Sequence, residues 1–278
     1  MINLITMAGR GKRFSEQGYT LPKPLIPIDG EPMIWKVIDC LPKASKWIFV
    51  VRQEHIDDFS IDKAIKAKIS DAIITVDKDL LGGASIFCAE QYIPDGEDVF
   101  IAGCDMGFIY DEREFEALKK SVYDCILWTF TADPRIPANP KAWGYAVLES
   151  DGKTIKDMSV KVPISDNPFN DHVVAATFWV KSKEILYDAI RTMIKREIKT
   201  NNEYYLDNLP LSLKINDRKS CIFDVDLLIG WGTPQEFHDY EKTAYFYKFK
   251  KLEDLKIPAK DIKLWEKYFH EVNKSKKY

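Results

Sequence analysis

Short runs of β-branched and aromatic residues alternate along the chain with longer stretches whose apolar positions recur every three or four residues. INLITMA at the start, WIFVV (47–51), AIITV (72–76) and DVFIAG (98–103) have the length and composition of buried strands. Between them, MIWKVIDCL (33–41) and ASIFCAEQYI (84–93) carry helical spacing. Such alternation predicts an α/β fold, with a largely parallel sheet covered by helices on both faces. CILWTFTA (125–132), WGYAVLE (143–149) and HVVAATFWV (172–180) are further strand candidates. SKEILYDAIRTMIKREI (182–198) opens on a capping serine and places apolar residues at 185, 186, 189, 190, 193 and 194, the pattern of an amphipathic helix.

The last segment breaks this rhythm. Residues 240–278 hold eleven lysines against six acids, a local charge of +5 in a chain of net charge −3, which leaves −8 on the preceding 239 residues. Ile262, Trp265, Phe269 and Val272 follow helical spacing, so a lysine-coated helix docked by one aromatic face is expected, with a partner or subunit contact as the alternative. The chain is accordingly divided into a main domain, 1–239, and a helical extension, 240–278. At 278 residues and 46% apolar content it can bury a substantial core. The mild negative charge argues against a nucleic-acid binder. Cysteines 40, 88, 104, 125 and 221 are scattered singly, which fits reduced thiols in a cytoplasmic protein rather than a disulfide or zinc framework. No run approaches the length of a membrane-spanning helix and no leader-like segment opens the chain, so a soluble protein is expected.

The first strand runs into chemistry. MINLITMAGRGKRF places Gly9 and Gly11 after a strand, where backbone N–H groups can cradle phosphate oxygens and no Cβ blocks their approach. Arg13 stands two residues beyond Gly11, close enough to clamp a polyphosphate with its planar fork. In LPKPL, Pro22 and Pro24 restrict the backbone on both sides of Lys23 and so fix where its ammonium points. Neither GxSxG nor HExxH occurs, and histidines 55, 172, 238 and 270 suggest no triad or zinc site.

Together, AGRGKRFSEQGYTLPKPLIPIDGEPMI resembles the signature of the sugar-phosphate nucleotidyltransferases, the nucleoside-diphosphate-sugar pyrophosphorylase family: a strand, GxGxR, PKPL, then an apolar-x-G-x-PMI segment opening a helix. The resemblance implies a Rossmann-like, mostly parallel mixed sheet flanked by helices, of the kind shared with glycosyltransferase-A enzymes. It implies that Ala8, Gly9, Gly11 and Arg13 hold the nucleotide's phosphates and that Arg13 and Lys23 act at the reaction centre. LLGGASIFCAE (80–90) is similar to the family's second glycine-containing segment, which meets the nucleobase through Gly82, Gly83 and Ala84. IAGCDMG (101–107) resembles the strand end whose aspartate, here Asp105, binds nucleotide and the catalytic Mg²⁺.

Later echoes are looser. WGYAVLESDGKTIKDMSVKVP (143–163) resembles the family's substrate segment, with Lys161 kept and Val160 standing where relatives carry glutamate. Ala176 stands where many relatives have glycine. NNEYYLDNL (201–209) is similar to a Glu-x-Tyr-Leu-x-Asp run and makes Glu203 a candidate substrate contact. DVDLLIGWGTPQEF (224–237) resembles a segment carrying a second metal aspartate, but Gly230 occupies that place. Asp224 or Asp226 is left to supply a second metal carboxylate, with Asp226 preferred and strand alternation putting both on one face.

The resemblance thus implies a metal-dependent enzyme that couples a nucleoside triphosphate to a phosphorylated small-molecule acceptor, a sugar 1-phosphate for surface polysaccharide in the first instance. A cytidylyltransferase for a non-sugar phosphate, a nucleotide-sugar-dependent glycosyltransferase and a non-catalytic nucleotide-binding regulator remain alternatives, and a homo-oligomer stays open.

Overall fold

The computed structural model describes residues 1–77 and 82–275; residues 80 and 81 of the glycine segment and the last three of the extension lie outside them. The chain folds into two compact units, each described by itself. The first comprises Met1–Gly9, Lys43–Gly103 and Asp111–Asp224, and the second Arg10–Pro42, Cys104–Tyr110 and Val225–Tyr278. Residues of the 240–278 segment therefore group with the glycine–arginine loop, Pro-Lys-Pro and Asp105.

The first unit is built on one mixed sheet of nine strands. These are β1 (Ile2–Thr6), β2 (Lys46–Val51), β3 (Ile73–Val76), β4 (Val99–Ala102), β5 (Cys125–Phe130), β6 (Gly144–Leu148), β7 (Ile155–Val160), β8 (Val173–Val180) and β9 (Ser220–Asp224). The main path runs β7-β6-β8-β4-β1-β2-β3, with β5 also paired to β8 and β9 to β5. Strands β4, β1, β2 and β3 are parallel, as is β9 beside β5, while β8 runs antiparallel to β4, β5 and β6. Alternation sorts the side chains onto two faces. Ile2, Leu4, Ile48, Val50, Ile101, Leu127, Phe178 and Ile222 face a core completed by Ala84, Ile86, Leu186, Ile190 and Leu213. On the opposite face Phe100, Trp128 and Phe223 pack edge-on or tilted against one another and against Phe115 of the helix Glu112–Lys119.

Because the chain places β2 and β3 on one side of β1 and then crosses to lay β4 on the other, strand order reverses at β1/β4. Open α/β sheets bind ligands in the crevice outside the carboxyl ends of such a reversal. Here Thr6 Oγ1 donates to Ala102 O across those two ends. The segment 84–93 falls in a long 3₁₀ helix, Gly82–Tyr92, rather than the α-helix its spacing suggests. The capped helix 182–198 is realised as Lys183–Lys195, with Ser182 Oγ accepting from Ile185 N–H.

Strand β8 carries a register shift between Val174 and Phe178, and Ala176 within it has φ 48°. A left-handed backbone costs an L-residue roughly 1 kcal/mol and glycine almost nothing, which explains why glycine suits this position. The Ala176 side chain is exposed. Ala176→Gly is therefore expected to raise the melting temperature by about 1–3 °C, a shift that scanning calorimetry resolves; a lower value would show that the strain is absent.

The second unit contains the hairpin Pro27–Ile28/Glu31–Pro32, turned at Asp29 and Gly30, both with positive φ. It also contains an antiparallel ladder pairing Met106–Ile109 with Leu227–Gly230. Helix Pro234–Phe249 is capped by Thr233, whose Oγ1 accepts from Glu236 N–H while donating to Glu236 Oε2. The expected aromatic face of the last helix, Ala259–Ser275, is docked: Trp265, Tyr268 and Phe269 pack on Tyr240, and Phe269 stacks on Tyr247. All five cysteines are free thiols, and among the described residues no helix is long and apolar enough to cross a membrane.

Candidate active site

In the second unit Gly11 has φ 62° and its carbonyl accepts from Phe14 and Ser15 N–H, starting the short helix Lys12–Ser15. A Cβ built on Gly11 would stand 3.6 Å from Lys23 Cβ, so this loop lies directly against the Pro-Lys-Pro segment. Pro22 is extended, at ψ 144°, and Lys23 opens a 3₁₀ turn in which Leu25 N–H donates to Pro22 O. The turn delivers Lys23 Nζ to within 2.5 Å of Asp105 Oδ2, with both side chains largely buried. Burial pulls the Lys23 pKa down, but the Asp105 charge and hydrogen bond outweigh it and hold the ammonium well above its ordinary value, with Arg13 opposing. The ion pair thus favours the charged form of Lys23. Arg13 is exposed, within electrostatic range of Lys23. Gly9 is exposed, and a Cβ added to it would meet nothing within 4 Å, so no protein contact requires glycine there.

Asp105 precedes the Met106–Ile109 strand, and its carbonyl accepts from Trp231 N–H. A Cβ at Gly232 would fall 2.8 Å from Asp105 Oδ2 and 3.4 Å from Glu236 Oε2, so glycine leaves open the space beside the carboxylate. An oxygen-only site of one carboxylate plus phosphate oxygens and water suits Mg²⁺, and Asp105 fits that description. Among the described residues no three His, Cys, Asp or Glu side chains gather into a metal-holding group. Asp226 is exposed in the link before Leu227 and joins no such group. Asp224 ends β9, whereas Asp226 lies outside any strand, so the expected alternation that would put both on one face does not apply. Asp224 Oδ1 instead accepts from Thr129 Oγ1 at 2.7 Å and pairs with His172 Nδ1 at 2.9 Å. The sequence offered no signal for this cluster, because its members lie far apart along the chain.

The other expected contacts lie in the first unit. Gly83 N–H donates to Tyr204 O at 2.6 Å, Gly82 has φ 61°, and Ala84 is buried. Ala8 O accepts a long bond from Arg52, a residue that no sequence motif marks. Lys161 has φ 67°, donates through Nζ to Ala142 O and lies over the Tyr205 ring. Glu203 is exposed in a turn closed by backbone bonds with Thr200. Val160 is buried at the end of β7, paired with Gly144. Asp207, four residues beyond Glu203, is turned toward Gly144: a Cβ there would come within 2.5 Å of Asp207 Oδ2.

Burial pushes the Asp207 carboxyl up to about 6, against the pull of Lys161. Its folded pKa lies above the unfolded value of 3.8, so its contribution to stability is full below that pH and lost as pH rises through 6. Asp207→Asn is expected to flatten the fall in urea midpoint between pH 4 and 7; equal slopes for variant and wild type would show a solvated carboxylate.

A glycine loop against a fixed lysine and that lysine on an aspartate beside a strand occur in one unit of this α/β chain, and a reversal in strand order in the other. Residues 3–151 match the MobA-like NTP transferase domain, and the chain belongs to that family. It is 29% identical over 215 residues to the bifunctional protein GlmU of Thermotoga maritima, a match covering 73% of this chain and 42% of that protein; the chain thus spans under half the length of such curated relatives. Among solved structures, it resembles the nucleoside-diphosphate-sugar pyrophosphorylase of Vibrio cholerae RC9, at 20% identity and TM-score 0.67 over 87% of this chain and all of that one. It also resembles the inositol-1-phosphate CTP transferase of T. maritima, at 16% identity and TM-score 0.66 over 96% and 95% of the two chains. At these identities the likeness is one of fold.

Proposed function

We propose that the protein transfers a nucleotidyl group from a nucleoside triphosphate to a phosphorylated small molecule, releasing pyrophosphate. The observation that carries this reading is the Lys23–Asp105 pair with the Gly11 loop packed against it. An oxygen of the acceptor phosphate attacks the α-phosphorus, the new P–O bond forms, and the electrons of the broken α–β bridge leave on pyrophosphate. A phosphate monoester has a second pKa near ~6, so it is mostly a dianion at neutral pH and needs no strong base. The demand is for alignment and for neutralising crowded negative charge. Lys23, held cationic and fixed by its turn, supplies a preorganised positive charge, and Arg13 supplies a planar fork for phosphate oxygens. A Mg²⁺ held by Asp105 would add charge neutralisation across the phosphates. In the first unit, Gly82, Gly83 and Ala84 are assigned to the base, and Lys161 and Glu203 to the acceptor.

A non-sugar acceptor is a second reading, favoured by the burial of Val160 where relatives carry a polar substrate contact. The test is a panel of CTP, UTP, dTTP, GTP and ATP against glucose 1-phosphate, inositol 1-phosphate and choline phosphate, with pyrophosphate measured with and without Mg²⁺. Release for one pairing, dependent on Mg²⁺, is expected. No release from any pairing would overturn the reading, and transfer from a preformed nucleotide sugar would replace it with glycosyl transfer.

A further inference from the structure

The His172–Asp224–Thr129 cluster takes no part in the chemistry above, yet it stands at the ligand-binding edge of the sheet. Strands β5 and β9 are parallel to each other, and β5 and β4 are both antiparallel to β8, so Thr129 and Asp224 share the carboxyl edge with the ends of β1 and β4. His172 immediately precedes β8, whose first residue, Val173, pairs with Phe130 at the same edge. Thr129 is fully buried, while His172 and Asp224 are 29% and 40% exposed, so a buried hydroxyl anchors two side chains that reach solvent. Both anchoring bonds end on Asp224 Oδ1. Among the described residues, neither Asp224 Oδ2 nor His172 Nε2 has a hydrogen-bond partner.

Resting on the transferase reading, we propose that His172 and Asp224 bind a hydroxyl group of the phosphorylated acceptor and so select a polyhydroxylated one, a sugar or cyclitol phosphate. A hydroxyl both donates and accepts. The cluster presents a carboxylate oxygen that only accepts beside a ring nitrogen whose orientation is set by the bond at Nδ1. With Nδ1 committed to Asp224, Nε2 is the ring atom left to meet that hydroxyl. A quaternary ammonium makes no hydrogen bonds and would leave the His172 ring nitrogen unused, whatever it gained from the Asp224 charge. Location also argues for recognition rather than phosphoryl chemistry. Neighbouring strands lie about 4.8 Å apart, so β5 is roughly 10 Å and β9 roughly 14 Å along the sheet from β4. A contact there reads a part of the acceptor remote from the strand reversal.

Steady-state kinetics on the full chain tests this with glucose 1-phosphate and inositol 1-phosphate, and with choline phosphate as the acceptor lacking hydroxyls. His172→Ala is expected to raise KM for the hydroxylated acceptor about tenfold, with kcat and the KM for the nucleotide within twofold. His172→Gln, which keeps a donor, should recover part of the loss. Thr129→Val, which frees Asp224, should raise the same KM by a smaller factor. An unchanged acceptor KM in His172→Ala overturns the inference, as does an equal rise in both KM values. Wild-type transfer to choline phosphate alone also overturns it while leaving the transferase reading intact. Calorimetric binding of the same phosphates decides the inference even if no pyrophosphate is released. Binding to the wild type that is weakened in His172→Ala supports it, and no binding of either hydroxylated phosphate refutes it.

Discussion

Replacing Lys23 with alanine is expected to lower kcat for pyrophosphate release by about 10²–10³-fold. That is the usual effect of deleting one preorganised group aimed at developing charge. The size of the effect follows from the structure. Asp105 and its hydrogen bond keep Lys23 charged despite burial, and the turn between two prolines leaves its ammonium few alternative positions. Arg13 is exposed on a long side chain and can take over only part of the role. Removing Lys23 also strands the Asp105 carboxylate, 16% exposed, without its partner. A further loss of about 1–3 kcal/mol in stability is therefore expected. Coupled pyrophosphate assay and thermal melts on one preparation separate the two effects. Full activity in Lys23→Ala would refute the assignment, and an unchanged melt would show that Asp105 is well solvated.

The largest expected effect on folding is at Gly83. A Cβ there would stand 2.6 Å from Tyr204 O and 2.7 Å from Leu206 N, both backbone atoms that cannot rotate aside. At Gly144, by contrast, the closest atom is a side-chain carboxylate that can swing away. Gly83→Ala must push the 82–92 turn off the 204–206 segment, breaking the Gly83–Tyr204 hydrogen bond and opening the core around Ala84 and Ile86. Overpacking of this kind costs about 1–3 kcal/mol or more, a fall of roughly 3–10 °C in melting temperature for a unit of this size. Gly9→Ala meets no atom within 4 Å and serves as the control whose melt stays unchanged. A Gly83→Ala melt matching wild type would show that the two backbones do not meet.

Most of the sheet is legible in the sequence because it depends on local pattern. The apolar runs at 2–6, 47–51, 73–76 and 99–102 become parallel strands since their lengths and β-branched content suit nothing else in a helix-alternating chain. The strand 155–160 escapes such a reading, because Lys156 and Asp157 interrupt it and are exposed, and the strand expected across 224–226 ends at Asp224. The Gly11–Lys23 contact is foreshadowed as a split clamp, since two glycines, an arginine and a proline-bracketed lysine together have no ordinary turn explanation. Glu203 is the natural choice in its motif, yet Asp207 is the carboxylate turned inward, a distinction set by how the 204–206 segment packs on Gly83.

The sequence by itself determined the class of fold, the glycine turn after the first strand, the proline-bracketed lysine and the aromatic docking of the last helix. Each depends on spacing within a few residues, where backbone geometry leaves little freedom. Only the tertiary structure decided that Lys23 Nζ lies on Asp105, that Asp224 belongs to His172 and Thr129, and that Ala176 occupies a left-handed bulge. The two side-chain clusters join residues up to 95 positions apart, and strand register, not local preference, determines which distant side chains meet.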